Sequence, residues 1–204
     1  VSYSIVKYCD RSKREEVIKK TKNIFMAMKK KYGNLTTEDD YLLCALLAIS
    51  NIDFQNILEK EDYIFKRMHN LKLFSDNGVQ CLTNSMILNT KKNIAEDVSE
   101  FLLNLKDKGI KVGRQFLQLI GIMIKDQDLE KSIEDLNEVI EYLCNEESEY
   151  GFYIDKGFRN MIAFMIVFMD YDRHEIKYVD ELLAFGTYSF LLSKNQGLFN
   201  EVLA

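Results

Sequence analysis

Apolar residues recur every three or four positions along most of the chain, which is the spacing of amphipathic helices. The first such stretch, about Lys13 to Lys31, sets Val17, Ile24, Phe25 and Met28 on one face, and Gly33 can stop it with a left-handed backbone. The second runs from Glu38 to Ser50, where Thr37 and Asp40 stand in the relation of a capping box. A third, about Gln55 to Asn70, carries Ile57, Leu58, Tyr63, Ile64 and Met68 as a broken stripe. Ser75-Asp76-Asn77-Gly78 is a turn and cap cluster that opens a fourth, Val79 to Leu88. Ala95 to Lys108 follows and ends at Gly109. Val112 to Lys125 is apolar on most sides, which predicts a central helix. Leu129 to Cys144, Asp155 to Met169 and Tyr178 to Ser193 complete the set, while Val1 to Cys9 reads as the frayed end of an earlier element.

The helices share a plan. Triplets that mix small and bulky residues fall at Ala48-Ile49-Ser50, Ser85-Met86-Ile87, Gly121-Ile122-Met123 and Ala163-Phe164-Met165, at steps of 37, 36 and 42 residues. The acidic pairs Glu61-Asp62, Glu96-Asp97 and Glu134-Asp135 recur 35 and 38 residues apart, as a repeat would keep them on an exposed face. The expected fold is therefore all-α: antiparallel helical hairpins stacked as a short α-solenoid-like array, with a single closed helical bundle as the alternative. No linker divides residues 1–204, which predicts a single all-helical domain. Leu46, Ile49, Met86, Leu102, Phe116, Ile120, Ile140, Ile162 and Met165 are the expected core.

Composition supports this and narrows the function. The chain has no proline and only nine glycines, so little interrupts a helix. Its longest fully apolar run, Met161 to Met169, is too short to cross a bilayer. Val1 to Cys9 lacks the plan of a signal peptide, and an opening Val in place of Met fits the ordered part of a longer protein. Four widely spaced cysteines without a Cys-x-x-Cys predict reduced thiols and a cytoplasmic setting. The net charge of −5 argues against nucleic acid as the main partner. Residues 1–31 nevertheless hold ten Lys or Arg against three acids. Such a basic first helix either steers an anionic partner or complements its own neighbours, and the second reading is the commoner one.

Candidate chemistry is sparse. Glu38-Asp39-Asp40 is explained by capping and by the helix dipole, since three neighbours on a helix point apart. Asp170-Tyr171-Asp172-Arg173-His174-Glu175 offers oxygen and nitrogen ligands without the spacing of a known helical metal motif. Asp39, Asp40, Asp172 and His174 are the residues that come nearest to a metal site; no metal or other cofactor is expected. No phosphate loop, dinucleotide fingerprint or nucleophile elbow occurs. Aromatic residues cluster at Tyr150, Phe152, Tyr153 and Phe158 and again at Tyr171, Tyr178, Phe185, Tyr188 and Phe190. They predict core packing before a ligand groove.

Leu35 and Thr36, followed by Asp39, Asp40, Tyr41 and a Leu/Ala-rich helix, resemble the all-helical bacterial family known as domain of unknown function 4003. Members tend to show His-Pro-aromatic-Leu-Thr, an acidic pair and then Tyr before an apolar helix. Tyr32-Gly33-Asn34 stands where that family has His-Pro-aromatic, and the Lys-Gly turn and apolar helix within Leu105 to Ile124 also look similar. The resemblance implies an intracellular helical fold and no particular mechanism. The repeat spacing, because solenoids present extended surfaces, gives the expectation of a non-enzymatic binding or scaffold module that takes a protein or peptide segment. A metal-dependent enzyme or small-ligand sensor using the clustered acids is the alternative.

Overall fold

The computed structural model describes residues 1–145, 155–171 and 176–195. They form ten α-helices joined by turns and short 3-10 segments, and the fold is all-α. Contacts divide the chain into two compact units, Val1–Thr90 and Lys91–Ala204. Among the described residues no helix is long and apolar enough to cross a membrane.

The first unit contains α1 (Ser2–Tyr8), α2 (Arg14–Tyr32), α3 (Tyr41–Ile49), α4 (Phe54–Asn70) and α5 (Asp76–Leu88). Helix α2 packs on α3, α4 on α5, and α3 on both α1 and α5. The core follows the amphipathic stripes: Ile24, Phe25 and Met28 from α2, Ile57, Ile64 and Met68 from α4, and nearly all of α3. Residues 1–9 hold a short helix rather than a frayed end, because Arg14 binds the carbonyls of Val6 and Cys9 at 3.4 and 3.2 Å. Capping follows the sequence. Asp53 accepts from the backbone of Gln55 and Asn56, and Ser75 from that of Gly78. Gly33 ends α2 with φ at +58°, but its ψ of −119° lies outside the left-handed helical basin.

The second unit contains α6 (Ile94–Asp107), α7 (Leu117–Met123), α8 (Leu129–Asn145), α9 (Lys156–Tyr171) and α10 (Val179–Asn195). Helix α8 packs on α9 and α6, while α7 packs on α6 and α10. Gly109 stops α6 at φ +68°, and the Ile110 N–H reaches back to the Leu105 carbonyl at 2.9 Å, closing the helix end. Phenylalanines fill the interior. Phe101 lies against Phe164 and Phe168, and Phe116 against Phe158 and Phe190, which stack at 4.7 Å.

Three expectations need correction. The helix drawn from Val112 to Lys125 is a 3-10 turn, Arg114–Phe116, followed by only seven α-helical residues, because Gly113 and Ile124 are extended. It is still central, since each residue from Leu117 to Met123 is buried. The Glu38 to Ser50 helix likewise opens with a 3-10 turn, Glu38–Asp40, before α3 begins. Of the expected core, Leu46, Met86, Leu102, Phe116, Ile120 and Met165 are buried, whereas Ile49, Ile140 and Ile162 are only partly covered. Ile49 is the last residue of α3, where the chain turns away.

Candidate functional site

Of the four candidate metal ligands, Asp172 and His174 lie outside the described residues. Asp39 is exposed and Asp40 buried. The Asp40 carboxylate accepts from the Thr37 N–H at 2.8 Å, and Thr37 returns the bond to the Asp40 backbone as a capping box. Asp40 thus has a structural task at the start of α3. No group of three His, Cys, Asp or Glu suited to a metal occurs among the described residues. No disulfide joins the cysteines. Cys44 sits against the Met28 sulfur at 3.8 Å, and burial pushes its thiol up to about 12, so it stays protonated and packs as a small hydrophobe.

The stretch around Leu35 to Tyr41 is a joint. Thr36 is fully buried; its hydroxyl accepts from the Gln80 amide at 2.7 Å, and its carbonyl from Lys29 at 2.7 Å. Tyr41 stacks on Phe25 with ring centroids 4.0 Å apart and planes within 9°. These residues bring α2, α3 and α5 together.

The basic first helix turns many of its cations inward. Besides Arg14 and Lys29, Lys20 binds the carbonyls of Ser50 and Ile52 at 3.4 and 2.8 Å, beyond the last turn of α3, where cations suit the helix dipole. Lys31 bridges Glu61 and Asp62, both at 2.9 Å. Glu61 has 0% exposure, which overturns its expected place on a solvated face. The other pairs differ: Asp97 meets Lys91 at 2.7 Å on a half-buried surface, and Glu134 is exposed. Burial works against the charge of Lys31, but hydrogen bonds with Tyr32, Glu61 and Asp62 outweigh it and raise its pKa. Burial, then the neighbouring Glu61, push the Tyr32 phenol above its usual range. Hydrogen bonds from Lys66 and Lys31 hold Asp62 down at about 2. Tyr32 also packs on Phe65, which stacks on His69, and His69 meets Asp76 at 3.1 Å.

In the second unit a cavity of about 20 Å³ lies among α6, α7, α8 and α9. Leu105, Phe116, Ile120, Leu136, Met161 and Phe164 form most of its wall. Asn160, only 6% exposed, is the polar member. Its amide nitrogen donates to the Lys111 carbonyl at 2.9 Å, and its Oδ1 is buried without a hydrogen-bond partner. Leaving such an acceptor unpaired costs roughly 1–3 kcal/mol. Gly157, one turn earlier, is what lets α9 come close: a Cβ there would lie 3.2 Å from the Gly113 nitrogen. Asp155 caps the start of the helix through the Gly157 and Phe158 N–H groups.

The family described as protein of unknown function, DUF4003, matches residues 1–196. This chain belongs to the DUF4003 family. The match takes in both units of the fold. No curated protein and no solved structure matches it. In this DUF4003 chain, of the residues that carried the resemblance (Leu35, Thr36, Asp39, Asp40 and Tyr41), Thr36, Asp40 and Tyr41 cap and pack, whereas Asp39 is exposed.

Neither Glu61 nor Asn160 stood out in the sequence as a site residue. The alternation of acids with apolar residues around Glu61 looks the same for an exposed face as for one covered by α2. Asn160 follows Arg159 in a helix start whose composition gives no hint of a void. Of the aromatic clusters, Phe190 is core with the half-buried Phe158 stacked on it, Tyr178 is buried and Tyr188 exposed. Tyr150, Phe152, Tyr153 and the Tyr171 side chain lie outside the described residues.

Proposed function

We propose that the chain is a non-enzymatic binding module built from stacked helical hairpins, which takes a segment of a protein partner. Support for the hairpin stack comes from packing within each unit. Chain neighbours pair (α2 with α3, α4 with α5, α8 with α9), and corresponding helices of successive pairs touch, α3 on α5 and α6 on α8. The five-residue connection from α4 to α5 makes that pair antiparallel. The observation that carries the binding reading is the outward apolar residues of the last two helices: Ile166 and Met169 on α9, and Tyr188, Leu191 and Leu192 on α10. On each of these helices the side chains lie three or four positions apart and so share one face, and an exposed apolar face marks association more often than a solitary residue does. A photo-crosslinking residue at Ile166 or Leu191, placed in the protein within its own host, should trap one discrete protein partner. The same residue at Tyr63, also exposed but in the first unit, is the control. Equal and diffuse crosslinking at all three positions would overturn the reading.

The metal-dependent alternative draws little support, because Asp40 is engaged with Thr37. A small-ligand reading draws none from the unpaired Asn160 oxygen, which is buried beyond the reach of a group in the cavity.

A further inference from the structure

We propose that the chain binds a second copy of itself, with the outer face of α2 in one copy lying on the outer face of α8 in the other. The inference is independent of the protein-segment reading, which rests on the outer faces of α9 and α10. Residues four apart on a helix form one ridge. On α2 such a ridge is Ile18, Lys22, Met26 and Lys30, all exposed, and its two apolar members are each more than half open to solvent. Arg14, Lys20, Lys29 and Lys31 turn to partners within the chain, but Lys22 and Lys30 make no ion pair among the described residues. On α8 the matching ridge is Glu130, Glu134, Glu138 and Tyr142, again all exposed, and its glutamates have no ion pair among the described residues. Glutamates four residues apart repel one another, so this row weakens α8 unless a cation answers it.

The spacing fixes the register. Laid antiparallel, the two ridges set Tyr142 on Ile18, Glu138 on Lys22, Glu134 beside Met26 and Glu130 on Lys30. Ridges of this kind lie together when two helices cross at about −50°, the commonest packing between helices. The result is two ion pairs and an aromatic ring covering an aliphatic side chain. Glu15 and Glu16, exposed at the head of α2, fall beyond Tyr142 and clear of the three glutamates. A parallel alignment of the same residues would keep one ion pair, Lys22 with Glu134, and would set Ile18 on Glu130 and Met26 on Glu138. A second copy is the occupant that the charge pattern favours, because it brings an acidic ridge of the same length and spacing. Residues 1–31 are basic on an otherwise acidic chain, and that asymmetry steers α2 of one copy toward α8 of another. Each copy carries both ridges, so every contact pairs a basic face with an acidic one.

The test is sedimentation of the whole chain. One helix face buries less than a standard interface, so the range needed is about 10 μM to about 1 mM protein, in about 0.05 M and about 0.5 M salt. At low salt the mean mass should rise above the 23.9 kDa of one chain, and at high salt association should be roughly tenfold weaker. Lys22→Glu and Glu138→Lys change exposed positions and should each weaken association by roughly tenfold or more. Mixing the two variants in equal amounts should restore it, because each reversed side chain then meets the reversed one of the other variant. A mass of one chain at every concentration would overturn the proposal. So would association that either salt or the substitutions leave unchanged, or variants that stay apart when mixed. Vesicles of anionic lipid that bind a chain which stays monomeric would assign the α2 ridge to a membrane surface instead.

Discussion

The two units are held together by different chemistry. In the first, cationic side chains of α2 reach across to carbonyl groups and carboxylates: Arg14, Lys20, Lys29 and Lys31 each tie the helix to another segment. In the second, phenylalanines from α6, α9, α10 and the turn before α7 meet ring to ring, and a void remains beside them. The difference teaches where specificity comes from in each. Charge-assisted bonds are directional, so the first unit fixes the register of its helices by matching individual atoms. Ring packing is less directional and depends on filling volume, so an imperfect fit leaves space. The division is not absolute, because Lys91 clips Asp97 to Asp126 and to the Lys125 carbonyl in the second unit.

The sharpest way to break this comparison is to remove a ring. Phe101→Ala should destabilise the second unit by about 4 kcal/mol, and hydrogen exchange should quicken in α6 and α9 before α2. A loss below about 1 kcal/mol would mean that the ring cluster does not hold this unit. Ile120→Ala comes next, at about 3 kcal/mol by urea denaturation, because the deletion enlarges an existing void.

Lys31→Met tests the first unit. Removing one partner of a buried ion pair costs about 3–5 kcal/mol, but Lys31 is itself 36% exposed, so solvent screening lowers the expected loss to about 2 kcal/mol. An unaltered urea midpoint would show that Glu61 needs no cation. Gly157→Ala should cost about 1 kcal/mol, since the added methyl presses on the Gly113 backbone. Its thermal midpoint should fall, whereas Gly33→Ala should act through backbone strain at positive φ.

The smallest effect is a pH dependence. The pKa of Asp62 in the folded chain, about 2, lies below its ordinary value near 4. Its contribution is thus fully present above the ordinary value and is lost as pH falls from about 4 through about 2. Lys31 shifts the other way: its contribution is present below its ordinary pKa and fades only as pH rises through the higher folded value. Acid titration of Asp62→Asn should therefore lose less stability between pH 4 and 2 than the wild type. Parallel curves would remove Asp62 from the network.

Much of the fold was written in local sequence. Helix positions follow from the spacing of apolar residues, and the Thr37–Asp40 box and the Ser75 cap lie within three or four residues of the groups they bind. Chain reversal at Gly109 needs only the glycine itself. Such features are local, so the amino-acid order alone determines them. What it could not determine are meetings between residues tens of positions apart. Lys20 and Ile52, Lys31 and Glu61, Thr36 and Gln80, Lys111 and Asn160 are joined only once helices have packed. A lysine or glutamate on an amphipathic helix has the same local signature whether water or another helix lies over it. The burial of Glu61 and the unpaired oxygen of Asn160 were therefore decided by tertiary structure, because both depend on which surface each helix covers.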